Sequence, residues 1–249
     1  MKAAVFLDLD GTLIFNESDL NYWNVRVQTG WTPISTQSGS AYYMDSQTVP
    51  LLKEMEKRAH MFLSTGRNAA QFQEVSPWFA DIQWGGIWGK LGEMVLQCQD
   101  FRKDDYETYL ARQVPKSLQQ LYPDAGMENV FSIEFREKEL TRFLDENPKI
   151  KRTDIYQTSR KRFALTAEGF GKHLPVKFIK SRNPNWFTFG VGDMPVDIPM
   201  LSEVDCAFVP SSLSAPLTCH KIDLRGPEFS SFVLSEILNH LKVSSKFEE

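Results

Sequence analysis

Two aspartates stand two residues apart in the run Asp8-Leu9-Asp10-Gly11-Thr12, directly after the apolar stretch Ala3–Leu7. Side chains at that spacing on an extended backbone point to the same side. One carboxylate can attack an electrophile such as phosphorus while the other handles the proton of the leaving group. Both turn negative charge toward a negative substrate, so a cation is needed close by. Hard oxygen ligands at a strand end suit Mg2+. An Asp-x-Asp pair alone arises about once by chance in a chain of this length; the Gly and Thr that follow lower that to on the order of a few in a thousand. The alternative is a solvated turn after a strand, with Asp and Gly as turn residues.

Three further stretches carry candidate groups. Gly192-Asp193-Met194-Pro195-Val196-Asp197 follows an apolar run over 186–191 and could complete a metal site as a second acidic cluster. The alternative there is a turn in which Asp197 caps the next helix. Ser64-Thr65-Gly66-Arg67 precedes a helix, where a hydroxyl, a glycine and free N–H groups make a phosphate cradle. An ordinary N-cap with a glycine turn accounts for it as well. Gly169-Phe170-Gly171-Lys172 supplies the cation best placed to offset phosphoryl oxygens, just before a helix. Only its position singles out Lys172 among 28 lysines and arginines. His173 reads as a helix-start residue, and His60, His220 and His240 have no neighbours that suggest ligation.

These groups need strands to hold them. Apolar runs predict strands over 3–7, 60–63, 82–88, 186–191 and 206–209, with helices over 46–57, 68–75, 173–181, 197–203 and 229–241. The middle third differs: a helical pattern over 104–121, a strand over 129–135, a helix over 137–144, and strands over 153–157 and 162–166 around the basic turn Arg160-Lys161-Arg162. An α/β segment is thus interrupted by an α+β segment and resumes. The expectation is a doubly wound, Rossmann-like parallel sheet from residues 1–85 and 169–249, with an inserted α+β domain over 86–168. The ligand crevice of such a sheet lies at the carboxyl ends of its strands. Residues 16–46 are rich in Ser, Thr, Gln, Gly and Asn with interleaved aromatics; a structureless loop of that length is unusual in a compact domain, so the stretch is either partly structured or functional.

Composition bounds the function. The chain has 249 residues, 42% hydrophobic and 24% charged, with a net charge of −4 from 28 basic and 32 acidic side chains. That excludes a disordered, collagen-like or coiled-coil chain and gives no footprint for nucleic acid or an anionic membrane. No apolar run reaches the ~18–20 residues of a transmembrane helix, and Asp8 interrupts the first strand too early for a signal-peptide core. Three scattered cysteines, Cys98, Cys206 and Cys219, suggest neither disulfides nor zinc. A cytoplasmic protein is the expectation.

The order Asp-x-Asp-Gly-Thr, Ser-Thr-Gly-Arg, Gly-Lys and Gly-Asp-x-x-x-Asp resembles the haloacid dehalogenase (HAD) superfamily of phosphatases. The insert resembles the C2-type cap of the sucrose-phosphate, trehalose-phosphate and mannosylphosphoglycerate phosphatases and the Cof-like group. The resemblance implies Asp8 as nucleophile, Asp10 as general acid and then base, and Thr65, Gly66 and Lys172 around the transferring phosphoryl group. It implies Mg2+ held by Asp8, the main-chain carbonyl of Asp10, Asp193 and Asp197. The implied activity is Mg2+-dependent hydrolysis of a small phosphate ester, a sugar phosphate foremost, through an aspartyl-phosphate, with no nucleic-acid or membrane partner. The chain departs from the family pattern at Val196, where Asn is common, at His173, where Gly is usual, and in the long 16–46 segment. Two alternatives stand beside this reading: phosphotransfer to another acceptor on the same fold, and a non-catalytic protein that binds a phosphorylated ligand.

Overall fold

The computed structural model describes residues 2–36, 39–150, 155–159, 161–215 and 218–245. In chain order the elements are β1 (Ala3–Leu7), β2 (Phe15–Asn16), α1 (Glu17–Tyr22), β3 (Trp31–Ser35), β4 (Ala41–Asp45), α2 (Thr48–Met55), β5 (His60–Ser64), α3 (Ala69–Gln73), β6 (Trp84–Gly89) and β7 (Met94–Cys98). Then come α4 (Lys103–Gln113), α5 (Leu118–Leu121), β8 (Ser132–Arg136), α6 (Glu137–Glu146), β9 (Ile155–Ser159) and β10 (Arg162–Thr166). The chain closes with α7 (His173–Arg182), β11 (Phe187–Val191), α8 (Ile198–Leu201), β12 (Cys206–Pro210), β13 (Cys219–Ile222) and α9 (Pro227–Ser245).

Seven strands form one sheet in the order β13-β12-β11-β1-β5-β6-β7, parallel except for β7. Every residue of β1 is buried, as a strand covered on both faces requires. Its alternation splits the interior. Ala3, Val5 and Leu7 join α2 and α9 on one side, while Ala4 and Phe6 join α4, α7 and α8 on the other. An aromatic column crosses the second side, with Phe6 stacked on Phe62 at 5.0 Å and Trp88 on Phe101 at 5.0 Å. The expected α/β sheet is present, and the expected start of the insert, residue 86, falls inside β6. The large sheet continues through β7 to Cys98.

A second sheet, β8-β10-β9, is antiparallel, with α6 packed on it through Phe143 and Phe135 at 4.8 Å. Strand β9 lies against residues 195–197, so this sheet sits above the carboxyl end of β11. The helix expected over 104–121 is broken. Val114 precedes Pro115 and adopts φ −124°, ψ 82°, because the proline ring excludes the helical conformation from the residue before it. Ser117 then starts α5 with a capping box to Gln120.

The 16–46 segment folds into a third unit, the antiparallel sheet β2-β4-β3 with α1. Phe15, Leu20 and Trp31 form its small core, with Trp23 and Tyr43 against it, so these aromatics pack the segment onto itself. Of the basic turn Arg160-Lys161-Arg162, Arg160 lies outside the described residues, as do residues 153–154 of the strand expected over 153–157; Arg162 pairs with Glu134 at 2.6 Å. Cys98, Cys206 and Cys219 are free thiols. Among the described residues no helix is long and apolar enough to cross a membrane.

Phe62 is fully buried between Phe6 and Trp88. Phe62→Ala should lower unfolding free energy by about 3–5 kcal/mol, read from urea denaturation. A loss below ~1 kcal/mol would mean that the column is not part of the packed interior.

Candidate active site

The register Leu7↔Val191 brings the ends of β1 and β11 side by side. The Asp8 N–H extends the ladder by one bond to the Val191 carbonyl, 3.0 Å. Asp8 therefore leaves β1 next to the loop 192–197. Strand β5 flanks β1 on the other side and carries Thr65 just beyond its end. The helices leave β1 and β11 on opposite sides of the sheet, which opens the crevice of a doubly wound sheet at this point.

Lys172 precedes α7 and is 2% exposed. Its Nζ donates to Asp8 Oδ1 at 2.5 Å and to Asp197 Oδ1 at 2.6 Å. The other oxygen of Asp197 accepts the N–H groups of Asp193 (3.1 Å) and Met194 (2.9 Å). Asp197 thus closes its own loop and faces the lysine at once, combining a capping role with a place in the cluster. Two glycines permit the crowding. At Gly11, φ is +82° and a Cβ would collide with the Asp193 carboxylate. At Gly192 a Cβ would meet the Asp197 Cβ at 2.5 Å. Thr12 Oγ1 donates to Asp193 Oδ1 at 3.4 Å.

Asp8, Asp193 and Asp197 each offer a carboxylate oxygen within 4.8 Å of the others. Like charges that close, with little water, disfavour ionisation. Burial pushes Asp8 up to about 7, against the attraction of Lys172 and with the repulsion of Asp197. Burial and the charges of Asp8 and Asp197 push Asp193 well above the ordinary carboxylate range. Lys172 stays protonated: burial opposes its charge, but Asp197 and Asp8 hold it above the usual lysine value. Three carboxylates and one ammonium leave two negative charges in excess when all are ionised. The donor set is all oxygen, and its excess matches a divalent cation. These residues fit Mg2+.

The remaining expected groups lie beside this cluster. Thr65 is fully buried; its N–H donates to the Trp88 carbonyl (2.9 Å) and its Oγ1 accepts from the Arg67 N–H (3.2 Å). Gly66 lines a cavity of about 280 Å³ between the 66–71 and 90–91 loops and the β8-β10-β9 sheet. The Asp10 carboxylate lies outside the acidic cluster, so any metal contact from Asp10 falls to its carbonyl. Its two oxygens instead accept from Arg67, Nε at 2.8 Å and a terminal nitrogen at 2.6 Å. Such a fork is the strongest geometry an arginine and a carboxylate make. Burial acts against the Arg67 charge, but Asp10, with a smaller contribution from Tyr42, holds it above the ordinary arginine value.

Arg67 belongs to the stretch Ser64-Thr65-Gly66-Arg67, but its sequence position assigns it no role. Its pairing with Asp10 spans 57 positions, and only the presence of a buried-type loop next to a carboxylate strand end could have hinted at it. Val196 is buried in the apolar cluster under β9. The loop is held without a polar residue there, because backbone N–H groups and Lys172 satisfy Asp197. His173 is half-buried, and burial and Lys177 lower its pKa.

No protein-family model and no curated protein matches the chain. Solved structures do. A sucrose-phosphatase from Synechocystis, in complex with sucrose and phosphate, superposes with a TM-score of 0.62 at 11% identity, covering 96% of this chain and 98% of its own. A HAD-superfamily phosphatase from Bacteroides thetaiotaomicron gives 0.53 at 15%, covering 98% and 96%. A sugar phosphatase of HAD subclass IIB gives 0.51 at 16%, covering 85% and 88%. The fold is that of the HAD-superfamily phosphatases.

Without metal, Asp8 keeps its proton to about pH 7, while the unfolded chain releases it near 3.8. Across that window the unfolded state binds fewer protons, so this group's contribution to stability is present at low pH and is lost as pH rises from about 4 to about 7. In EDTA, the melting temperature of the wild type relative to Asp8→Asn should fall across that window. Mg2+ should raise the wild-type value more at pH 8 than at pH 5. A difference that rises with pH would contradict the assignment.

Proposed function

We propose that this chain is a Mg2+-dependent phosphomonoesterase that hydrolyses a small phosphorylated metabolite, a sugar phosphate foremost, through an aspartyl-phosphate on Asp8. The observation that carries the reading is the buried Lys172 bridge between Asp8 and Asp197, with Asp193 completing a three-carboxylate cluster at the strand ends. A buried lysine held by two carboxylates orients one nucleophile oxygen and leaves the other for attack.

The first step would form a bond from Asp8 to phosphorus and break the ester bond, with the leaving oxygen taking a proton from Asp10. In the second, water attacks the same phosphorus, Asp10 takes its proton, and the bond to Asp8 breaks to release phosphate. Arg67 fixes the direction of the Asp10 carboxyl group through both of its oxygens. Thr65 and Gly66, at the loop after β5, would receive the phosphoryl oxygens, and Lys172 would offset their charge. Asp8, Asp193 and Asp197, with the Asp10 carbonyl, are the groups that would hold Mg2+. When bound, it supplies charge screening between nucleophile and phosphoryl group.

The cavity beside Gly66 supports a polyhydroxylated leaving group: Asn68, Gln71, Ser132, Glu134 and Thr158 offer hydrogen bonds around it, with Leu91 and Ile133 as apolar surface. The sucrose and phosphate bound by the Synechocystis enzyme of the same fold support it further. We take the inserted unit carrying β8-β10-β9 as the cap that closes over this cavity.

Phosphate release from sugar, nucleotide and amino-acid phosphates, with Mg2+ and with EDTA, tests the reading. Activity should require the metal, vanish in Asp8→Asn and fall by about 10²–10⁴ in kcat in Asp10→Asn. Silence on the whole panel, p-nitrophenyl phosphate included, would favour a binding protein instead.

A further inference from the structure

We propose that Tyr42 is a positioning residue for this hydrolysis. It holds the Arg67 guanidinium against Asp10, which makes the β2-β4-β3 unit part of the catalytic apparatus. The inference rests on the phosphatase reading above and deepens it.

Tyr42 stands on the middle strand of its sheet, opposite Asn16 of β2 and Ile34 of β3, so its backbone is fixed from both sides. Alternation puts Tyr42 and Met44 on one face of β4. Met44 and Ile34, the partner of Tyr42 on β3, are buried in the main interior with residues of α2 and α9, which anchors that face. Asp45, at the end of the same strand, accepts from Ser231 of α9 at 3.1 Å. The unit is therefore bolted to the large sheet's helices, and the Tyr42 ring is a fixed platform.

The Arg67 guanidinium lies over that ring, 5.0 Å from its centre. This is inside the ~6 Å range of a cation–π contact. The Arg67 stem is held separately. Its carbonyl accepts from the Lys90 N–H at 3.0 Å, and one terminal nitrogen donates to the Gln71 carbonyl at 3.1 Å. Ring, carbonyl and carboxylate together define one rotamer for a side chain that otherwise has several.

The consequence lies in Asp10. Its side chain is 40% exposed, against 11% for Arg67. Packing does not aim Asp10; the Arg67 fork does. Remove the platform, and the guanidinium gains freedom and the carboxylate loses its aim at the leaving oxygen. That error matters most where the leaving group cannot depart without a proton.

The experiment uses kcat/KM for p-nitrophenyl phosphate and phenyl phosphate with Mg2+, because kcat/KM covers only the steps through departure of the leaving group. Tyr42→Ala should leave p-nitrophenyl phosphate within about twofold and lower phenyl phosphate by about tenfold, as expected of a small misplacement of the acid. Tyr42→Phe keeps the ring and should keep both values. Asp10→Asn should show the same selectivity, enlarged. An equal loss on both substrates in Tyr42→Ala, at unchanged melting temperature or with it lowered, overturns the proposal and leaves Tyr42 a fold residue. If the wild type is silent on both, the wider panel above decides the phosphatase reading, and a crystal structure of Tyr42→Ala decides this one. Arg67 displaced from Asp10 supports the positioning claim; an unchanged pair overturns it.

Discussion

The ammonium of Lys172, sunk between Asp8 and Asp197, is the interaction on which the site depends. A lysine at the start of a helix sits at the wrong end of the helix dipole, an unfavourable placement of about 0.3–1 kcal/mol. Burial adds a desolvation cost. Only two carboxylates arriving from two different strand ends make the position tolerable, and they in turn could not stand so close without it. The surrounding details follow from that compromise. Glycines at 11 and 192 let the acidic loops approach, and two backbone N–H groups share the charge of Asp197. The excess negative charge left over matches that of a divalent cation.

Around this centre the chain arranges three layers of support. The parallel sheet brings residues far apart in sequence to one edge. The β8-β10-β9 sheet stands over the loop 195–197 and forms one wall of the cavity beside Gly66. The β2-β4-β3 unit approaches from the other side and reaches inward with one side chain. Asp10 is where these influences meet. It is the most exposed carboxylate of the site and is held from a loop that itself rests on a neighbouring unit.

Much of this was legible because burial writes itself into composition. Ala3–Leu7 reads as a strand from five apolar residues in a row and is one, since both its faces are covered. The acidic pairs and the Thr65 loop stand out because each directly follows an apolar run. What stayed hidden has equally physical causes. Strands β3 and β4 mix Ser, Thr, Pro and Tyr and owe their order to packing rather than to any periodicity, β4 against α9 and β3 against β4. Strand β13 is a short edge with two exposed residues in its middle. The break at Val114 was available from Pro115 but was overridden by the apolar spacing on either side. The Arg67 fork joins residues that no local pattern links.

The position of β1 in the sheet also bears on how the chain is made. It is the first strand of this sheet in chain order and lies in its middle, between β5 and β11. Parallel pairing needs a long crossover, and the partner of Leu7 on one side is Val191. As the nascent chain emerges, β1 can pair with β5 early but keeps an unsatisfied, strongly apolar edge until β11 has been made. An open edge of that kind is where strands from other molecules add. Asp8, a charge placed directly at its end, therefore also guards that edge against strands of other molecules while β11 is still missing.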